Sequence, residues 1–122
     1  MKRILIVDDD DQFRTMLRRV LEKEGYQVFE ASDGRQGLSS FRNLRTDLVI
    51  TDIIMPEKEG VETIAALRKE FPSVKIIAVS GGGRNAPGDY LMLANKLGAK
   101  VTMEKPLDRA TLLQEVRQLT AD

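Results

Sequence analysis

Short runs of apolar and β-branched residues recur along the chain and predict buried β-strands. Continuous apolar runs are typical of strands that are covered on both faces. The run Tyr26–Ala31 instead alternates between apolar and polar residues. The last run, Lys100–Met103, is predicted from its position in the pattern rather than from its β-strand propensity. The predicted strands are Ile4–Val7, Tyr26–Ala31, Leu48–Thr51, Ile76–Val79 and Lys100–Met103.

Between these runs the apolar spacing changes to that of amphipathic helices. In the first segment, apolar residues stand at positions i, i+3, i+4, i+7 and i+8 from Phe13 to Leu21, and Gly25 follows as a C-terminal stop. Asp108 is placed to cap the start of the last helix. Helices are therefore predicted around residues 13–21, 37–44, 64–71, 90–97 and 112–119.

Five strand-helix units in strict alternation predict an α/β fold. Such alternation favours a parallel sheet with right-handed crossovers and helices on both faces. The 122 residues match the size of one domain, and no repeat or linker interrupts them. We therefore expect one doubly wound domain over residues 1–122.

Composition excludes several classes of function. Nineteen Lys and Arg residues balance nineteen Asp and Glu residues, so no overall positive field attracts nucleic acid or an anionic membrane. The chain has no Cys and no His, which excludes disulfides, thiolate nucleophiles and imidazole ligands. Its longest apolar runs are four residues, whereas a membrane span needs about 20. We expect a cytoplasmic protein that works with carboxylates, hydroxyls and lysine.

Polar residues stand where the predicted strands end. Asp8 and Asp9 follow the first strand, Asp52 the third, Ser80 the fourth and Lys105 the fifth. In an open parallel sheet these ends share one rim, which is the usual ligand crevice. Converging carboxylates repel each other by about 4 kcal/mol per pair at about 4 Å and need a cation. Hard oxygen ligands without His or Cys favour Mg²⁺, and a lysine and a hydroxyl beside it are typical of phosphoryl transfer to a carboxylate.

Each of these residues also fits an ordinary structural role. The run Asp8–Asp11 suits the start of a helix, Asp52 suits a turn, and Ser80 suits a loop before three glycines. Their joint position on one rim favours the functional interpretation. We assign Asp10 and Asp11 to capping alone.

Four motifs occur in an order and spacing that resemble the receiver domain of bacterial two-component response regulators, and the likeness runs from Ile4 to the final helix. The motifs are Ile4-Leu5-Ile6-Val7-Asp8-Asp9, Thr51-Asp52-Ile53-Ile54-Met55-Pro56 with Gly60, Ala78-Val79-Ser80-Gly81, and Lys105-Pro106. The resemblance implies a flavodoxin-like (βα)5 three-layer sandwich with sheet order 2-1-3-4-5.

The resemblance also implies a role for each acidic residue. Asp52 is the phosphoryl acceptor and binds Mg²⁺ directly together with Asp9. Asp8 acts on the metal through water, and the backbone carbonyl of Ile54 completes the protein ligands. The four-residue acidic run also permits Asp9 and Asp10 as the pair, but the apolar strand just before it favours Asp8 and Asp9.

The same resemblance implies how the phosphoryl group is held and exchanged. Lys105 pairs with it, Ser80 hydrogen-bonds it, and the bond from Lys105 to Pro106 is cis. The donor is the phosphohistidine of a sensor histidine kinase or phosphotransfer protein, and the phosphorylated domain controls a partner protein. Thr102 stands where the family commonly has Tyr or Phe, so no aromatic switch is implied.

Further expectations concern activity and assembly. We expect no enzyme activity beyond self-phosphorylation and slow autodephosphorylation, since Ile54 is apolar and Gly82 has no side chain to position an attacking water. We also expect a monomer or weak homodimer without direct nucleic-acid binding or membrane association.

Other functions remain open at this point. The run from Asp8 to Asp10 matches the Asp-x-Asp opening of haloacid-dehalogenase-like phosphatases, although Gln12 departs from their pattern and Asp52 then lacks a role. Residues 81–86 match a weak dinucleotide motif with Glu104 as the acid, but carboxylates on the same rim would repel a pyrophosphate. A scaffold that binds proteins independently of phosphate is the third alternative.

Overall fold

The structure is a computed structural model that describes residues 1–53, 59–81, 92 and 94–121. Its five strands are β1 (Arg3–Val7), β2 (Gln27–Ala31), β3 (Leu48–Asp52), β4 (Ile76–Ser80) and β5 (Val101–Glu104). Its helices are α1 (Asp11–Lys23), α2 (Gly34–Leu44), α3 (Glu59–Glu70), α4 with the helical residues 94–97, and α5 (Arg109–Thr120).

The strands form one parallel sheet in the order β2-β1-β3-β4-β5. This arrangement confirms the predicted fold class and strand order. Every predicted strand is present, and its observed ends lie within one residue of the predicted ones. For β3 and β4 the apolar runs were sufficient because these strands are buried on both faces. The prediction of β5 depended instead on its position in the pattern.

Two apolar layers cover the two faces of the sheet. Ile4 and Ile6 pack with Leu17 of α1 and Leu112 of α5 on one face, whereas Leu5 and its neighbours pack with α2, α3 and α4 on the other. Each fully buried Leu or Ile side chain stabilises the fold by about 1.5–3 kcal/mol. Alternate residues of one strand thus pack against helices on opposite faces of the sheet, which gives a three-layer sandwich.

The helices carry the predicted capping signals, although α2, α3 and α5 begin three to five residues before their predicted first apolar positions. Asp10 caps α1 by accepting hydrogen bonds from the backbone of Gln12 at 3.0 Å and Phe13 at 3.2 Å, and Asp108 caps α5 through Thr111 at 3.0 Å. Gly25 follows α1 with φ at 95°, a left-handed conformation that suits glycine. Of the predicted fourth helix, residues 94–97 are helical, while Tyr90 lies outside the described residues.

The start of α3 approaches the end of β3 so closely that only glycine fits there. A Cβ atom on Gly60 would lie 2.3 Å from the carbonyl oxygen of Asp52 and 2.5 Å from Cα of Ile53. Gly60 therefore allows α3 to begin directly against the backbone that carries Asp52.

None of the helices that the structure describes is both long enough and apolar enough to cross a bilayer.

Candidate functional site

The carboxyl ends of β1, β3, β4 and β5 bring the predicted polar residues to one rim. Asp8 directly follows β1, Asp52 ends β3, Ser80 ends β4, and Lys105 directly follows β5. The backbone N–H of Lys105 donates to the carbonyl of Ser80 at 2.7 Å, which extends the pairing of β4 with β5 to the site. Residues far apart in sequence therefore meet because parallel strands end together.

Three carboxylates form an acidic cluster on this rim. Asp8, Asp9 and Asp52 each offer one oxygen, and these oxygens lie within 4.8 Å of one another. Asp8 and Asp52 are buried, with 1% and 5% of their surface exposed, whereas Asp9 is exposed. Hard oxygens at this spacing fit a small divalent cation such as Mg²⁺. Another predicted ligand, the carbonyl of Ile54, lies outside the described residues.

The structure also decides which acids of the run belong to the cluster. Asp8 and Asp9 lie beside Asp52, whereas Asp10 turns away to cap α1. Asp11 lies in the first turn of α1 and forms an ion pair with Arg14. The geometry thus agrees with the predicted register and with the capping role assigned to Asp10.

Lys105 bridges two of the three carboxylates. Its Nζ donates to Oδ2 of Asp8 at 2.8 Å and to Oδ2 of Asp52 at 3.2 Å, and the side chain is 17% exposed. Burial lowers the pKa of Lys105, but the hydrogen bond to Asp8 and the charges of Asp52 and Asp8 outweigh it and raise the pKa above its usual value. The ammonium therefore stays charged at neutral pH and offsets part of the negative charge.

Asp8 is held by its neighbours at each of its polar groups. Its Oδ1 accepts from the backbone of Asp10 at 2.8 Å, and its Oδ2 accepts from Lys105. Its backbone N–H donates to Ala31 at 3.1 Å, and its carbonyl accepts from Nη1 of Arg14 at 2.5 Å. Asp8 is therefore a fixed element of the rim.

A network of charges behind Asp8 was not predicted from the sequence. Nε of Arg14 donates to Glu30 on β2 at 3.0 Å, and Nη1 of Arg18 donates to the other carboxylate oxygen of Glu30 at 2.7 Å. The hydrogen bond from Arg18 is the main cause that lowers the pKa of Glu30, and Arg14 adds to it against the effect of burial. Arg14 and Arg18 lie four residues apart on α1, which was the available signal, but their partner depends on the packing of α1 against β2.

Phe13 also reaches the site, although its spacing predicted only a core position. Nζ of Lys105 lies 4.0 Å from the centroid of the Phe13 ring. The ring is partly buried against the apolar layer of α1 and α5. An aromatic residue in the first turn after an acidic run was the only sequence signal for this contact.

Ser80 and the turn after β5 complete the rim. Ser80 is fully buried, and its hydroxyl donates to the carbonyl of Gly81 at 3.3 Å. The bond between Lys105 and Pro106 is cis, as the family resemblance implied. Thr102 pairs with Ala78 in the sheet and is partly buried.

Comparison with known proteins agrees with this geometry. The family described as the response regulator receiver domain matches residues 4–117. A chemotaxis protein CheY from Thermotoga maritima is 36% identical over 120 residues, which cover 98% of this chain and 98% of that protein.

Solved structures give the same result. A response regulator receiver domain protein from Clostridium thermocellum superposes with a TM-score of 0.90 at 29% identity, over 98% of this chain and 94% of that one. The response regulator TrrA from Thermotoga maritima, solved with Mg²⁺ and BeF, gives a TM-score of 0.85 at 34% identity, over 98% of this chain and 99% of that one. This chain therefore belongs to the response regulator receiver domains, the phosphorylation-dependent switches of two-component signalling.

Proposed function

We propose that Asp52 is the phosphoryl acceptor of this receiver domain and that Asp8, Asp9 and Asp52 hold Mg²⁺ beside it. The observation that carries the proposal is the acidic cluster with its three oxygens within 4.8 Å, two of whose members share one lysine. Membership of the receiver-domain family does not favour the alternative functions as a phosphatase or as a phosphate-independent scaffold. Most of the weak dinucleotide motif, residues 82–86, lies outside the described residues.

The position of Asp52 in the sheet supports its role as the acceptor. β3 lies between β1 and β4, so Asp52 has the acid pair on one side and Ser80 on the other. A phosphoryl group on Asp52 is then flanked by metal ligands on one side and by the hydroxyl of Ser80 on the other. Neither Asp8 nor Asp9 occupies such a central position.

The contacts of Asp8 support an indirect role toward the metal. Both of its carboxylate oxygens already accept hydrogen bonds, from Asp10 and from Lys105. Asp9 is exposed, so its oxygens are easier to direct at an ion. We therefore keep the assignment that the family resemblance implies, with direct ligation by Asp9, Asp52 and the carbonyl of Ile54 and a water-mediated contact by Asp8.

The transfer step needs one nucleophile and charge compensation. A carboxylate oxygen of Asp52 forms a bond to phosphorus as the bond from phosphorus to the donor nitrogen breaks. Lys105 already lies 3.2 Å from Asp52 and offsets the charge that the acyl phosphate adds. Bound Mg²⁺ supplies further neutralisation of the phosphoryl oxygens. The phosphoryl group draws the hydroxyl of Ser80 away from Gly81 and draws the ammonium of Lys105 toward itself. This movement of the two side chains is the switch.

Partners follow from the composition and the family. Receiver domains take phosphate from histidine kinases and act on downstream targets. This chain contains no His, so the phosphohistidine comes from a separate kinase or phosphotransfer site. The cytoplasmic location, the single domain over residues 1–122, the monomer or weak homodimer and the lack of direct nucleic-acid binding stay predictions.

Intact mass after incubation with acetyl phosphate tests the proposal. The wild-type chain gains one phosphoryl group in Mg²⁺ and none in EDTA, because the acidic cluster needs a divalent ion to accept further negative charge. Asp52→Ala gains none, whereas the control Asp11→Asn, an acid of the same run outside the cluster, gains one. An adduct on Asp52→Ala would refute the assignment, and none on the wild-type chain would favour a scaffold or a strictly kinase-dependent domain.

We also propose that the phosphoryl group is lost slowly. Ile54 is apolar and Gly82 has no side chain, so neither residue type orients a water for attack on phosphorus. Both residues lie outside the described part of the structure, and the argument rests on their chemistry alone.

The lifetime of the phosphorylated protein measures this property. Ile54→Asn introduces an amide two residues after Asp52 that can hydrogen-bond a water, so we expect faster loss of the phosphoryl group in the variant. Mass spectra recorded after removal of acetyl phosphate give both lifetimes. A wild-type lifetime no longer than that of the variant would contradict slow loss.

A further inference from the structure

We infer that Phe13 is a positioning residue for phosphoryl transfer, which it serves by holding the ammonium of Lys105 against the acidic cluster. The inference rests on the proposed function, because it concerns the rate at which Asp52 is phosphorylated. Its basis is the ring of Phe13, whose centroid lies 4.0 Å from Nζ of Lys105.

The surroundings of Lys105 show what the ring contributes. An ammonium has three N–H groups, and Lys105 directs hydrogen bonds to Asp8 at 2.8 Å and Asp52 at 3.2 Å. The ring face of Phe13 covers another side, where it attracts the cation through its quadrupole and excludes water. The ammonium is thus held by two carboxylates and one ring.

Lys105 needs such support because its backbone is at the edge of the sheet. It directly follows β5, the edge strand, and its long side chain reaches back to the ends of β1 and β3. A free lysine side chain samples many rotamers, and holding it in one geometry opposes that entropy. A ring beside the ammonium reduces the number of alternative positions before the phosphoryl donor arrives.

The first turn of α1 fixes Phe13 in this place. The backbone N–H of Phe13 donates to Oδ1 of the capping residue Asp10 at 3.2 Å. Asp10 in turn donates its own backbone N–H to Oδ1 of Asp8 at 2.8 Å. Hydrogen bonds through the capping residue thus connect the backbone of Phe13 to the acidic cluster. The ring of Phe13 contacts a cation in addition to filling apolar space.

The test measures the rate of phosphorylation by acetyl phosphate at saturating Mg²⁺. Phe13→Leu keeps apolar volume but loses the ring, and we expect its rate to fall about threefold to tenfold. Phe13→Tyr keeps the ring face and should stay within about twofold of the wild-type rate. A ring-fluorinated phenylalanine at position 13 keeps the shape but weakens the negative face, so its rate should also fall.

Phe71→Leu is the matched control. Phe71 also lies under a cation, with the guanidinium carbon of Arg45 4.1 Å from its ring, but it lies just before β4, at the opposite end of the sheet from Asp52. Its loss should lower the stability of the fold and leave the phosphorylation rate unchanged. This comparison separates the loss of a ring-cation contact in general from its loss at the site.

The outcomes separate failure of this inference from failure of the proposed function. A Phe13→Leu rate equal to that of the wild-type chain would overturn the inference. An unchanged rate with the fluorinated ring would also overturn the inference, because a residue that only fills space depends on shape and not on the charge distribution of the ring. The fluorinated variant also provides the test if Phe13→Leu does not fold. An adduct that persists on Asp52→Ala would instead overturn the proposed function, because Asp52 would then not be the acceptor.

Discussion

Lys105 offsets only part of the charge that the acidic cluster carries. Among the described residues, three carboxylates against one ammonium leave a formal excess of two negative charges within the cluster. Like charges at this separation repel, and partial exposure and salt weaken the effect without removing it. The residues that prepare the site for Mg²⁺ therefore oppose folding when the metal is removed.

Asp9→Asn should for this reason stabilise the metal-free protein. Asp9 is exposed, so the substitution removes repulsion without leaving a buried partner unsatisfied. We expect the free energy of unfolding in EDTA to rise by about 1 kcal/mol or less, and the stabilisation by Mg²⁺ to shrink. Chemical denaturation in EDTA and in Mg²⁺ measures both effects.

Asp11→Asn is the control for this prediction. Asp11 forms an ion pair with Arg14 outside the cluster, so its loss should give no gain in EDTA and leave the response to Mg²⁺ intact. Equal behaviour of the two variants would show that the repulsion does not come from the cluster.

Helix α1 and strand β2 are joined by the charges around Glu30. Glu30 accepts from Arg18 at 2.7 Å and from Arg14 at 3.0 Å, and Arg14 also donates to the carbonyl of Asp8. Because this network lowers the pKa of Glu30, its stabilisation is complete above the usual glutamate pKa of about 4.3 and is lost as the pH falls through the lower, folded-state pKa. The link between α1 and β2 thus weakens in acid.

Glu30→Gln tests this link through its pH dependence. We expect the variant to unfold more easily than the wild-type chain at neutral pH, and the difference to shrink as the pH falls below the usual glutamate pKa of about 4.3 and through the lowered pKa of the folded state. Thermal or urea unfolding across this range gives the comparison. Glu70→Gln, which removes a more exposed pair with Arg42, should produce a smaller difference. A difference for Glu30→Gln that persists unchanged in acid would argue against an ionic origin.

The junction of β3 and α3 depends on one glycine. The Cβ of Gly60→Ala would lie 2.3 Å from the carbonyl oxygen of Asp52, so α3 must move away from β3. We expect a loss of about 1–3 kcal/mol of stability and a lower phosphorylation rate, because the backbone of Asp52 moves as well.

Gly81→Ala supplies the comparison for this junction. Gly81 also belongs to the rim, but among the described residues its added Cβ would meet nothing closer than Cδ of Lys105 at 3.9 Å, which is an ordinary contact. Its effect on unfolding, measured in urea, should be clearly smaller. If both variants unfold alike, close contact at Gly60 is not the reason for glycine there.

The molecule as a whole was more predictable in its layout than in its side-chain contacts. The alternation of strands and helices was sufficient to predict the three layers. The rule that parallel strands end at one edge of a sheet was sufficient to predict that Asp8, Asp52 and Lys105 share one rim. The contact of Phe13 with Lys105 and the pairing of Arg14 with Glu30 depend on the rotation of α1 against the sheet. Periodicity identifies which face of a helix is apolar, but not which polar group its neighbours present.

The rim site also depends on parts of the chain that are distant in sequence, which bears on when it forms. Lys105 joins Asp8 across 97 positions and Asp52 across 53, and it is carried by the last strand along the chain. Contacts over long separations form late in folding, because chain entropy is lost before they stabilise anything. A nascent chain whose β1 and β3 have left the ribosome therefore holds the acids without their lysine. Competence to accept phosphate would then arise only with the complete sheet, so that newly made molecules do not respond to the kinase before they are folded.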